Sequence, residues 1–60
     1  MSNTQQLIAE LSLAEKNGHA SVIFYVGPCT GYGPSVVGAL RRRGFVVAPL
    51  ISKGGYKLSR

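Results

Sequence analysis

Apolar residues recur with a helical period in the first third of the chain. An apolar stripe on one face of this segment comprises Leu7, Ile8, Leu11 and Ala14. With Gly18 as a left-handed stop, the spacing predicts a helix over residues 2–17. A capping box fits either Ser2 with Gln5 or the pair one residue later. Leu13 points away from the stripe, so we expect it on the surface.

The middle of the chain has the pattern of a strand, a glycine-rich loop, a helix and a second strand. Residues 21–26 form an apolar run that predicts the first strand, and residues 45–51 predict the second. A helix is predicted over residues 34–43, because a proline suits its first position and Gly44 suits its end. Two glycines then precede residues 56–59, in which apolar and polar side chains alternate. This pattern predicts a third strand that forms a hairpin with the second.

These elements predict one small α/β (α+β) domain, 1–60, with the order α-β-α-β-β. We expect a three-stranded mixed sheet with both helices mainly on one face, because a right-handed crossover places the second helix there. Strand orders 1-2-3 and 2-1-3 both fit. Pro49 lacks an N–H, so the second strand is either a sheet edge or broken by a bulge there.

The opposite sheet face is expected to be thinly covered, although the first strand is apolar on both of its faces. A chain of 60 residues also has a small core. An external partner, including a second copy in a homodimer, would therefore add stability.

The charge of the chain is strongly one-sided. It has seven basic and two acidic residues, a net charge of +5. Both acids lie in the first twenty residues, whereas the last twenty hold six of the seven basic residues and no acid. Such a distribution fits nucleic acid or an acidic protein surface as the partner, with tyrosine rings available for stacking. It fits a solvated basic face with core tyrosines equally well. The candidate binding residues are Arg41, Arg42, Arg43, Lys53, Tyr56, Lys57 and Arg60.

Within this basic third, residues 39–45 form a basic helix end and residues 53–59 a glycine-containing hairpin. Together, residues 36–59 resemble the recognition helix and wing of winged-helix DNA-binding domains. The resemblance implies a basic helix in the major groove and a Gly-Gly-Tyr hairpin on the flanking backbone. The chain departs from that family by placing a strand and a glycine loop before a single short helix.

The loop over residues 27–35 is a second candidate site. It joins the carboxyl end of a strand to a helix N-terminus, where open α/β sheets bind anions. The candidate anion-binding residues are Gly31, Tyr32, Gly33 and Ser35. No dinucleotide or P-loop motif is present, and Pro34 removes one donor, so a structural turn is the favoured interpretation. Cys29 has no arginine six residues later, which argues against phosphatase chemistry; we expect it to be a half-buried filler.

The sequence offers little for catalysis. It has one cysteine, one histidine and no aspartate, which excludes an internal disulfide, a four-ligand zinc site and a Ser-His-Asp triad. We therefore expect no enzyme activity, no cofactor and no metal. The lone cysteine, with no signal peptide and no membrane-length apolar run, predicts a cytoplasmic protein that does not enter the membrane.

Two functional hypotheses follow from these features. In the first, the chain is a small non-enzymatic binding module that contacts nucleic acid through its basic C-terminal third. In the alternative, it is a small inhibitor or adaptor, of the kind that many bacteriophages encode. Such a protein would bind a larger host protein through its sheet face or an edge strand.

Overall fold

Two helices and three strands form the domain in a computed structural model that describes residues 2–51 and 54–60. In chain order they are α1 (Asn3–Lys16), β1 (Ser21–Tyr25), α2 (Ser35–Arg42), β2 (Val46–Pro49) and β3 (Gly55–Ser59). The α+β class and the order α-β-α-β-β are confirmed, with element ends shifted by one or two residues from the prediction.

The sheet is antiparallel, with β3 in the centre and the order β1-β3-β2. Leu58 of β3 pairs with Val22 on one side and with Val47 on the other. The prediction of a mixed sheet was therefore wrong, as were both predicted strand orders. β1 and β2 do run parallel to each other, but the crossover leaves a gap between them that β3 fills. In the centre of the sheet, β3 forms backbone hydrogen bonds to a strand on each side, whereas both predicted orders would leave it at an edge with one neighbour.

The outer edge of β2, on the side away from β3, is blocked against pairing with a further strand. Pro49 pairs in register with Tyr56 and has no N–H to offer a further strand. The Arg41 guanidinium donates a hydrogen bond of 2.8 Å from Nη2 to the carbonyl oxygen of Val47. Of the two alternatives for Pro49, an edge position is correct, and Arg41 further protects that edge from pairing with another chain.

Helix α1 begins and ends as its sequence predicts. The Ser2 hydroxyl accepts a hydrogen bond of 3.2 Å from the backbone N–H of Gln5, which identifies Ser2 as the N-cap. Gly18 follows the helix with a φ of 85°. Leu11 is fully buried, while Leu13 is 61% exposed, as expected from their positions on the helical wheel.

The hydrophobic core lies between the two helices and one face of the sheet, so the prediction of both helices on one face is confirmed. Val22, Phe24 and Leu58 lie on this face, since alternate residues of a strand share a side. The buried core residues are Leu7, Leu11, Phe24, Val36, Val37, Leu40, Val47 and Leu58.

The opposite sheet face, which we call the open face, carries no helix in the described part of the chain. It comprises the alternate strand residues Ser21, Ile23, Tyr25, Val46, Ala48, Gly55, Lys57 and Ser59. Exposures of 58% for Ile23, 48% for Tyr25 and 52% for Val46 confirm that this face is thinly covered.

Candidate nucleic-acid interface

Four arginines lie around the connection between α2 and β2, and we call them the arginine cluster: Arg41, Arg42, Arg43 and Arg60. The first three belong to the last turn and the cap of α2, next to the negative end of the helix dipole. The fourth, Arg60, lies nearby because Ser59, the residue before it, pairs with Val46 at the start of β2. The Arg60 guanidinium carbon therefore lies 5.5 Å from the ring centroid of Phe45.

Three members of the arginine cluster donate to acceptors of the protein itself. Arg41 binds the β2 carbonyl described above, and Arg43 Nη1 donates to Gln5 Oε1 over 3.2 Å. Arg60 Nε lies 2.9 Å from Glu15 Oε2, forming a salt bridge that offsets its charge. These side chains are exposed, and a guanidinium has five N–H donors, so each retains donors for a further ligand.

Arg42 and Lys57 differ from these three arginines. Among residues 2–51 and 54–60, neither forms a hydrogen bond or a salt bridge to another side chain or to the backbone outside its own element. Arg42 is exposed and runs back along α2, where its Nη1 lies 3.4 Å from the position that a Cβ of Gly38 would occupy. Lys57 projects from the centre of the open face. Both cations therefore keep their side-chain N–H donors free of partners among the described residues.

Two of the candidate tyrosines pack inside the domain. Tyr56 faces the helices from β3, and its ring stacks on Phe24 with centroids 5.6 Å apart and an interplanar angle of 21°. The Tyr32 ring meets Phe24 edge to face at 6.1 Å, and its hydroxyl donates to Glu10 Oε2 over 3.3 Å. Neither tyrosine therefore presents an open ring for stacking. Lys53 lies outside the described residues.

Sequence reasoning missed Tyr25, which lies on the open face. It pairs in register with Gly55, and a Cβ on that glycine would come within 3.1 Å of Tyr25 Cε1. The ring therefore covers the glycine and is close to the sheet. A strand that is apolar on both faces gave no reason to single out this tyrosine, and its glycine partner is visible only once the register is known.

The glycine-rich loop is held by its own hydrogen bonds. The N–H groups of Gly27 and Thr30 donate over 3.1 Å to the carbonyls of Tyr32 and Gly27, respectively. The Thr30 hydroxyl accepts from the Tyr32 N–H over 3.1 Å and donates to the Gly27 carbonyl over 2.9 Å. Three N–H groups are thus directed into the loop, which favours a structural turn over an anion cradle. Thr30, which organises the turn, was not singled out from the sequence.

A cleft of about 490 Å³ lies beside this loop, and the described residues that line it include no cationic side chain. It is lined by Val26, Gly27, Pro28, Gly31, Tyr32, Gly33 and Pro34. Burial raises the pKa of the Tyr32 phenol, and the carboxylate of Glu10 raises it further. The nearby carboxylate of Glu10, which accepts from the Tyr32 hydroxyl, makes this side of the cleft poorly suited to an anion. Ser35, the fourth residue predicted to bind one, is exposed at the start of α2. Cys29 is exposed, so its prediction as a half-buried filler was wrong.

The described residues contain no cluster of three or more His, Cys, Asp or Glu side chains that could hold a metal ion. Neither α1 nor α2 is long and apolar enough to cross a membrane. The chain matches no protein-family model, no curated protein and no solved structure. Its function must therefore be inferred from the chemistry of its own surfaces.

Proposed function

We propose that this protein is a small non-enzymatic module that binds nucleic acid through the phosphate backbone. The observation that supports the proposal is that Arg41, Arg42, Arg43 and Arg60 all lie on the chain segments that meet at the start of β2. Both acidic residues belong to α1. A surface with several cations in one region attracts a polyanion over long range and neutralises its phosphates at contact.

The members of the cluster have different roles in this proposal. Arg42 offers its whole guanidinium, because none of its N–H groups donates to another described side chain. Arg41 and Arg43 are oriented by Val47 and Gln5, and they contribute charge with the donors that they retain. Arg60 contributes least, since Glu15 compensates its charge.

Binding of this kind is expected to weaken steeply with salt. For about four neutralised phosphates, affinity for single strands should fall by about 50-fold between about 50 and about 200 mM salt. Fluorescence anisotropy with labelled DNA and RNA oligonucleotides, titrated at several salt concentrations, measures this slope. Failure to bind either nucleic acid at the lowest salt concentration would overturn the proposal.

Arg42→Gln should weaken binding to all sequences about equally and reduce the salt slope by about one unit, because one phosphate contact is lost. Lys16→Gln is a charge-matched control, since it removes one positive charge from α1, outside the arginine cluster. Arg42→Lys keeps the charge and should retain most of the affinity. Equal losses in Arg42→Gln and Lys16→Gln would indicate that net charge matters and the arginine cluster does not.

The open face favours a second candidate function, an inhibitor or adaptor that docks on an acidic surface of a larger protein. Ile23, Tyr25 and Val46 are about half exposed there, and Lys57 supplies a positive charge. β1 is the edge strand that remains for pairing, because Arg41 and Pro49 close the edge of β2. Affinity purification from nuclease-treated lysate separates the two candidates. A stoichiometric protein partner that survives nuclease supports the adaptor, and loss of all bound material counts against it.

A homodimer through the open face is the less favoured arrangement. Lys57 lies at the centre of this face, and a two-fold interface there would bring two like charges close together. The single cysteine, which is exposed, supports our proposal of a cytoplasmic location, where thiols stay reduced.

A further inference from the structure

We infer that the open face binds unpaired bases of single-stranded nucleic acid, with the Tyr25 ring as the stacking surface and Lys57 as a phosphate contact. This extends the proposed function, on which it rests, by naming the class of nucleic acid and a second contact surface. The aromatic ring beside the arginine cluster, Phe45, has the Arg60 guanidinium over it. Tyr25 supplies the ring on the opposite side of the sheet from the helices.

The first step is the placement of the Tyr25 ring. A Cβ built on Gly55 would lie 3.1 Å from Tyr25 Cε1 and 3.3 Å from Leu50 Cδ1. The ring therefore covers the backbone of the glycine and has Leu50 beside it. Since Tyr25 is 48% exposed, part of the ring packs on the sheet and the rest faces solvent. An aromatic ring held against a sheet in this way is a stacking surface for a base, as in RNA-binding domains that use their sheet.

The second step is the position of Lys57. It pairs in register with Ile23, which lies two residues before Tyr25 on the same face. Diagonal neighbours on adjacent antiparallel strands are about 7–8 Å apart, within reach of a lysine side chain. A base stacked on Tyr25 would therefore have an ammonium group near its own backbone phosphate. Ile23 extends the apolar contact along β1.

The third step is the charge of the open face. Its described strand residues include one cation, Lys57, and no acid, because Glu10 and Glu15 lie on α1, which packs against the other face. This complementarity favours an anionic ligand. An aromatic ring beside a cation suits a nucleotide better than an acidic peptide, since every base has a flat π surface and stacking tolerates any sequence.

The test compares two probes of equal length and charge, fluorescent oligothymidylate and an abasic deoxyribose-phosphate oligomer. Wild-type protein should bind the first more tightly. Tyr25→Ala should weaken oligothymidylate binding by about tenfold and leave the abasic oligomer unchanged, because only the first probe loses a stacked base. Tyr25→Phe keeps the ring and should bind like wild type. Tyr25→Leu covers Gly55 without an aromatic ring. It should also lose about tenfold in affinity for oligothymidylate and none for the abasic oligomer, so it tests stacking even if Tyr25→Ala folds poorly.

The possible outcomes separate this inference from the proposed function. Equal wild-type affinity for both probes would overturn stacking on Tyr25 and leave phosphate binding by the arginine cluster intact. Failure to bind either probe at low salt would overturn both. In a ¹⁵N NMR titration with oligothymidylate, shifts at Tyr25, Gly55 and Lys57 support the inference. Shifts confined to the arginine cluster would overturn it and leave the open face for a protein partner.

Discussion

Leu11→Ala is expected to remove about half of the protein's free energy of unfolding. Leu11 is fully buried between α1 and the sheet, and truncating such a leucine costs about 2–5 kcal/mol through lost burial and the cavity that remains. A domain of 60 residues has a total stability of only about 3–9 kcal/mol. One cavity in the core can therefore remove about half of the free energy of unfolding.

Leu13→Ala provides the matched control on the same helix. The chemical change and the change in helix propensity are the same, but Leu13 is 61% exposed. Its variant should stay within about 0.5 kcal/mol of wild type. Urea unfolding followed by far-UV circular dichroism measures both variants. Similar losses for the two would mean that helix formation in α1, and not burial of Leu11, limits stability.

The sequence was sufficient to predict the helices and their buried faces. Leu7 and Leu11 are four residues apart, and Val36, Val37 and Leu40 repeat the same spacing in α2, so one face of each helix was clear. The strand order was not predictable, because it depends on which side of β2 the hairpin folds. Both sides are compatible with the short turn, and only packing against β1 selects the inner one.

The positive charge of the candidate interface could be predicted from the sequence, but the direction of several of its side chains could not. Arg42 points away from the buried stripe of α2, so its exposure could be predicted from the sequence. Arg43 lies three residues after the buried Leu40 and was expected nearer the stripe, yet it is exposed. The packing of Tyr56 could also have been anticipated. It precedes the buried Leu58 by two residues and must share its face, with Lys57 on the other. The bond from Arg41 to Val47 and the pairing of Tyr25 with Gly55 depend on tertiary register, which no local pattern encodes.

The strand register also explains how each strand contributes residues both to the hydrophobic core and to the open face. The alternation along β3 sends Leu58 into the core and Lys57 to the open face, so the same strand stabilises the fold and presents a cation. On β1, Phe24 packs against the helices while Tyr25 faces outward beside a glycine. Under the inference above, substituting Lys57 should affect binding with little loss of stability, whereas substituting its neighbour Leu58 should do the reverse.

Gly54→Ala is expected to destabilise the protein by about 2–4 kcal/mol, of which about 1–2 kcal/mol is the cost of a left-handed backbone at a residue with a Cβ. Gly54 has a φ of 73°, and an added Cβ would lie only 2.9 Å from the carbonyl oxygen of Val26. The Gly54 carbonyl also accepts a hydrogen bond of 2.8 Å from the Val26 N–H. Relieving the clash must move β1 and β3 apart and weaken that bond, which adds a further cost of about 1 kcal/mol or more.

Gly18→Ala separates these two contributions to the loss of stability. Gly18 has a φ of 85°, but no atom of the described residues lies within 4 Å of its added Cβ. The free energy of unfolding of Gly18→Ala should therefore fall only by the cost of the left-handed backbone. The difference between the two variants in urea unfolding then measures the close approach of Gly54 to Val26. Equal losses would show that the sheet tolerates a Cβ at that point. A larger loss for Gly54→Ala would show that the turn before β3 requires glycine because the strands meet there, beside the glycine that Tyr25 covers.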